Sequence, residues 1–225
     1  MLAEKLSELK HQLIDYAILV EGMIDKSIKG LRDKNPALFK EVVEQNEPIA
    51  NDFDRKIEEM CTHLIAQYEP MASDLRTTLM ILKMNKDLER MADHAVNICE
   101  SGVFLIEQSE LPAINDLFIM AENAVSMLKD SIKTFVNADV ALANEVCERD
   151  SIVDRIGDKI LNELTPLMRI KKDSIKASLH IMRIAHNLER VADLSTNVCE
   201  DVIYMVQGKD IKHHHLDGNG TEGNG

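Results

Sequence analysis

Tryptophan is absent from this chain, and helix breakers are scarce: 225 residues carry nine glycines and five prolines. Four of the glycines fall in the last eight residues, so the body is poorer still. Leu, Ile, Ala, Met, Glu and Lys dominate instead, which are good helix formers. No apolar run reaches the roughly 18 residues that would mark a membrane span. The start Met1-Leu2-Ala3-Glu4-Lys5-Leu6 lacks the apolar stretch of a signal peptide. Basic charge is also short. Lys and Arg number 26 against 39 Asp and Glu, a net charge of −13. That balance argues against a duplex nucleic-acid binder and against attraction to anionic lipid, and suits a cytosolic protein that meets cations or basic partner surfaces. The four cysteines, Cys61, Cys99, Cys147 and Cys199, form no C-x-x-C pair. They lie in apolar-periodic segments and read as buried free thiols rather than a disulfide or zinc set.

What is present is helical periodicity. Leu6, Leu9, Leu13, Tyr16, Val20 and Met23 recur at three- and four-residue spacing in a first helix over 4–33. Asn35-Pro36 breaks it, and Pro36 can open the next helix. A second helix is expected over 37–68, and Pro70 separates it from a third over 73–108. Leu111-Pro112 marks the boundary between halves. A fourth helix ends near 137, a fifth covers 140–168 and a sixth 173–206, stopped by Gly208. The residues after it lack apolar periodicity.

The halves repeat. Leu88-Glu89-Arg90-Met91-Ala92-Asp93-His94-Ala95-Val96-Asn97-Ile98-Cys99-Glu100 lies 100 residues before Leu188-Glu189-Arg190-Val191-Ala192-Asp193-Leu194-Ser195-Thr196-Asn197-Val198-Cys199-Glu200, with eight of thirteen positions identical. Two helices sharing only an apolar pattern would not agree so far. The expected fold is therefore all-α: two tandem, pseudo-repeated three-helix bundles over 1–109 and 110–208, then a mobile tail over 209–225. Helices of about thirty residues run about 45 Å and suit elongated bundles.

On a heptad, the third and sixth helices each form an apolar seam interrupted at one level by a glutamate. An aspartate follows at i+4 and an asparagine at i+8. Glu89, Asp93 and Asn97 share one face, as do Glu189, Asp193 and Asn197. Carboxylates one turn apart repel unless something positive lies between them, and hard cations prefer clustered oxygen donors. The fifth helix offers Asp150 and Asp154 at the same spacing, and the second offers Glu47 and Asn51. Antiparallel packing could bring two such pairs together in each repeat. A solvated E-x-x-x-D face is the plain alternative, with Arg90 and Arg190 beside the glutamates.

Other candidates are weaker. Glu8 and His11 form a single Glu-x-x-His, where a di-iron bundle needs two. His186 precedes Glu189 by one turn, but Lys86 holds the equivalent place in the first repeat. His63, His94 and His180 read as core-edge or surface residues, and His213-His214-His215 as a solvated run. No glycine-rich phosphate loop, nucleophile elbow or Ser-His-Asp set occurs.

The segment 85–98, Asn85-Lys86-Asp87-Leu88-Glu89-Arg90-Met91-Ala92-Asp93-His94-Ala95-Val96-Asn97-Ile98, resembles the signature of the PhoU family. So do Pro70-Met71-Ala72-Ser73-Asp74-Leu75-Arg76 and Ile203-Tyr204-Met205-Val206-Gln207-Gly208-Lys209-Asp210. The resemblance covers residues 1–212. It implies two tandem three-helix bundles in a cytoplasmic, often dimeric, non-enzymatic protein that represses phosphate uptake and the phosphate-starvation response. Implied partners are the phosphate ABC transporter ATPase and a PhoR-type sensor histidine kinase. Implied ligands are metal ions, iron, zinc or another divalent cation, held by E(D)-x-x-x-D motifs: here Glu89, Asp93, Glu189, Asp193, Asp150 and Asp154. Glu47 matches in the second helix, but Asn51 stands where an aspartate is expected. The competing readings are a ferritin-like di-metal enzyme and a metal-free helical scaffold.

Overall fold

The structure is a computed structural model and describes residues 1–109, 111–112 and 114–207. Its elements are α1 (Leu2–Arg32), α2 (Pro36–Glu41), a π-helical turn (Val42–Asn46), α3 (Glu47–Tyr68), α4 (Ala72–Leu105), α5 (Ile114–Asn137), α6 (Val140–Ile170), a 3-10 turn (Lys172–Ser174) and α7 (Ile175–Gln207). No strand occurs among the described residues. Helical dihedrals persist from α2 through the π turn into α3, so these three form one rod and the described residues make six rods, as expected. The Gly208 stop and the tail over 209–225 lie outside the described residues.

Local chemistry explains the turns. In both repeats the first connection pairs a left-handed residue with a side-chain cap. Lys34 has φ 50° and Ala138 φ 53°. The next residue caps the helix that follows: Asn35 Oδ1 accepts from the Ala37 N–H at 3.1 Å, and Asp139 Oδ1 from the Leu142 N–H at 3.0 Å. Two prolines sit inside rods rather than between them. Pro48 follows the π turn directly, where the Glu47 N–H reaches back five residues to the Val42 carbonyl. The wider turn absorbs the bond that proline cannot donate. Pro166 lies in the last turns of α6, which continues to Ile170.

Helices α1, α3 and α4 pack together as the first bundle, and α5, α6 and α7 as the second. The bundles join through α4 against α7, with α1 also touching α5. Lys83 Nζ meets Asp201 Oδ1 at 3.2 Å, and His94 Nδ1 is 2.8 Å from Asn187 Oδ1. Arg183 donates to Asn97 Oδ1 and Glu100 Oε2, at 2.8 and 2.7 Å. The Phe104 ring stacks on His180 with centroids 4.5 Å apart. In every pair a higher number on α4 meets a lower one on α7, so the helices run antiparallel. Met91 and Val191, both fully buried, fall at the middle of this register. The relation between the repeats is therefore a pseudo-twofold passing between them.

The seam drawn from the heptad is displaced by part of a turn. The buried stripe of α4 runs through Ile81, Met84, Leu88, Met91, Ala95 and Ile98, whereas Val103, two heptads after Glu89 and so on the same heptad position, is 50% exposed. Glu89 therefore stands at the edge of the core rather than within it. Near the base of the first bundle, Gly30 of α1 and Gly102 of α4 clasp the buried Phe39 ring. A Cβ on Gly30 would come within 2.6 Å of that ring, and one on Gly102 within 2.5 Å.

Two glycine substitutions should therefore diverge. Gly102→Ala forces an enclosed ring to move and should cost about 1–3 kcal/mol, seen as a fall of several degrees in the thermal midpoint. Gly22→Ala, on α1 with nothing within 4 Å, should gain about 0.5–1 kcal/mol from helix propensity. Equal midpoints for the two variants in calorimetry would contradict the clasp.

Candidate functional site

The pseudo-twofold gives each repeat one carboxylate face. In the second repeat, α6 lies against α7, which brings Asp150 and Asp154 into the electrostatic field of Glu189 and Asp193. These four predicted residues thus form one cluster. Burial, then Asp154, Asp193 and Glu189, pushes the Asp150 carboxyl up to about 6. Burial and Asp193 raise Asp154. Burial also raises Glu189, with His186 opposing and Asp154 adding to the rise. Arg190 contacts Asp193 at 2.9 Å. One oxygen of Asp150, Oδ1, is buried with no hydrogen-bond partner.

In the first repeat, Glu89 and Asp93 do not meet Glu47 and Asn51. The acid that α3 delivers to them is Asp54. Glu47 precedes Asp54 by seven residues, about 10 Å along the helix, and Asn51 is exposed. The expected second-helix pair is thus corrected to a single acid. The signal was legible: the 100-residue offset that relates Glu89 to Glu189 carries Asp154 to Asp54 and Asp150 to Ala50. Burial raises Glu89, with Asp93 and Asp54 adding to it and Lys86 and Arg90 opposing. Asn97 is spent on the seam with Arg183.

The donor sets answer differently to a divalent cation. Among the described residues no three Asp, Glu, His or Cys side chains converge tightly enough to coordinate an ion as they stand. The second repeat nevertheless fits one chemically. Its donors are carboxylate oxygens, one of them orphaned on Asp150. Gly157 leaves a cleft of about 180 Å³ beside Glu189 and His186, where an added Cβ would lie 3.7 Å from Glu189 Oε2. The first repeat does not fit. Lys86 Nζ already lies 3.1 Å from both Asp54 oxygens and 3.0 Å from Glu58 Oε2.

Of the weaker candidates among the described residues, His186 lies in the field of Glu189, and the others are not gathered into a site. Glu8 pairs with Lys5 at 2.8 Å and His11 bonds the Ser7 carbonyl at 2.7 Å, both on the exposed face of α1. His94 belongs to the seam; burial lowers its pKa, opposed by its bond to Asn187. His180 stacks on Phe104. Cys61, Cys99 and Cys199 are buried, Cys147 is half-buried, and all are free thiols. Burial pushes Cys61 and Cys99 up to about 12, which keeps them protonated and inert.

The Asp150 shift has a signed consequence. Its folded value, about 6, exceeds the ordinary 3.8. Between those values the folded chain keeps a proton that the unfolded chain has lost, so stability falls as pH rises through the window. In cation-free buffer Asp150→Asn should melt higher than the parent at pH 7 and close to it near pH 4. A gap independent of pH in thermal melts would refute this.

Comparison with known proteins agrees with the two-bundle architecture. A family model described as the PhoU domain matches twice, at residues 13–102 and 117–202. A phosphate-specific transport system accessory protein PhoU homolog from Aquifex aeolicus is 36% identical over 215 residues, 96% of this chain and 97% of that one. The crystal structure of PhoU from Pseudomonas aeruginosa superposes with TM-score 0.89 at 29% identity, covering 93% of this chain and 100% of the other. The phosphate transport system regulatory protein PhoU from Streptococcus pneumoniae superposes with TM-score 0.83 at 25% identity, covering 94% and 99%. With its helix order, its internal repeat and both halves matched, the chain belongs to the PhoU family.

Proposed function

We propose that this protein is a negative regulator of phosphate uptake and of the phosphate-starvation response. In this reading it is a cytoplasmic, homodimeric, cation-binding adaptor between the ATPase of a phosphate ABC transporter and a sensor histidine kinase. The observation that carries the reading is the PhoU repeat matched in both halves of the chain. The similar proteins named above are accessory or regulatory proteins of phosphate transport, which supports a regulatory role rather than catalysis. Among the described residues no helix is long and apolar enough to cross a membrane, so contact with a membrane complex would be made by docking. A net charge of −13 favours basic partner surfaces and speeds encounter with them.

Cation binding is assigned to Asp150 and Asp154 on α6 with Glu189 and Asp193 on α7. A divalent ion there would supply positive charge between carboxylates that otherwise repel, and would tie α6 to α7. The part played by this chain's own residues is to hold oxygen donors on two adjacent helices beside the Gly157 cleft.

Tagged full-length protein, cross-linked in phosphate-replete cells, should recover both the transporter ATPase and the sensor kinase. Deleting the gene should switch a phosphate-starvation reporter on in rich phosphate. Recovery of neither partner, with a silent reporter in the deletion strain, would sink the adaptor reading.

A further inference from the structure

The two acidic faces occupy corresponding positions but use different residues, and although Arg190 reaches Asp193 where Arg90 turns to Asp87, the differences around Asp54 act in one direction. Where α7 carries His186, α4 carries Lys86. Where α6 carries Asp150, α3 carries Ala50. Gly157, which borders the cleft, is answered by Ile57, which is fully buried. Ala185 is answered by Asn85, whose Nδ2 donates to Asp54 Oδ1 at 2.7 Å and to the Asp54 carbonyl at 3.0 Å. The matching turns at Lys34-Asn35 and Ala138-Asp139 align α1 with α5 at an offset of 104, which sets Tyr16 where the second repeat has Met120. Tyr16 is fully buried and stacked on Phe53. Its phenol lies in the field of Asp54, Glu89 and Asp93.

Relative to the second, the first repeat therefore lacks one anion, carries an ammonium and an amide donor, and has a buried isoleucine in place of Gly157. Asp54, only 15% exposed at its side chain, receives donors from both Asn85 and Lys86. A divalent cation entering here would have to displace an ammonium from Asp54 and Glu58 against like-charge repulsion. The second repeat has no ammonium or guanidinium against Asp150 or Asp154 among the described residues.

We propose that Lys86 is the resident counter-ion of the first repeat: its ammonium takes the place of a divalent cation, so that the chain responds to such cations through its second repeat alone. The second clause rests on the cation reading of Asp150, Asp154, Glu189 and Asp193 given above; the role of Lys86 does not.

Mn²⁺ is the probe, because it takes carboxylate oxygens and ranks lowest in affinity for sites such as the His213-His214-His215 run. Bound Mn²⁺ is counted from the loss of the free-ion EPR signal, alongside thermal melts with and without the ion, on full-length protein. Glu189→Gln/Asp193→Asn should abolish bound Mn²⁺ and its stabilisation, and Glu89→Gln/Asp93→Asn should retain both in full. Lys86→Met should lower the cation-free midpoint by roughly 2–4 °C, gain a further Mn²⁺ and recover the lost stability on binding it. Lys86→Arg, which keeps the charge, should behave as the parent. Loss of Mn²⁺ in Glu89→Gln/Asp93→Asn, or a Lys86→Met protein with no new Mn²⁺ dependence, would overturn the proposal. If the parent binds no Mn²⁺, the cation reading of the second repeat fails. Gain of Mn²⁺ dependence in Lys86→Met would still establish Lys86 as counter-ion, and its absence would refute it.

Discussion

The antiparallel packing of α4 against α7 is the contact on which the molecule depends. Each helix is the core of its own bundle and also one side of the seam, so little of either is left to face water. Leu88, Met91, Leu188 and Val191 are fully buried on these two helices, each contributing on the order of 1.5–3 kcal/mol by leaving solvent. The same helices carry Glu89, Asp93, Glu189 and Asp193, so the seam also determines where the acidic faces point.

Polar contacts across the seam break the pseudo-twofold. Lys83 pairs with the buried Asp201, but the symmetry-related partner of Arg183 is Ser101, whose buried hydroxyl has no partner. Arg183 turns instead to Asn97 and Glu100. His94 bonds Asn187, while the related pair would be Leu194 with Asp87. An apolar seam between two helices of repeated sequence tolerates a slip or reversal of register. Unequal ion pairs at its two ends oppose both, because a shifted register separates Lys83 from Asp201.

The same divergence runs through the acidic faces. A duplicated bundle that kept both carboxylate clusters would bury like charge twice. Here one face is neutralised from within by Lys86 and the other retains the orphaned Asp150 oxygen. The two halves share a fold yet differ in what they ask of the solvent and its ions.

Helix number, the repeat and its offset were legible because they rest on local periodicity and on identity between residues 100 apart. The carboxylate positions on α4, α6 and α7 were legible for the same reason: i and i+4 share a face whatever the helix packs against. Asp54 was within reach through that offset, whereas Glu47 looked equally good because a spacing rule cannot say which level of one helix meets which level of another. The rods through Pro48 and Pro166 followed from the apolar pattern, but the π turn that accommodates Pro48 is a backbone adjustment with no residue signature. What only the tertiary structure decided is the pairing between helices: Lys86 with Asp54 and Glu58, Asp150 with Glu189, Phe39 between two glycines. Those contacts depend on the relative rotation and translation of packed rods. Side-chain volumes acting together set that geometry, and the periodicity of any one helix does not contain it.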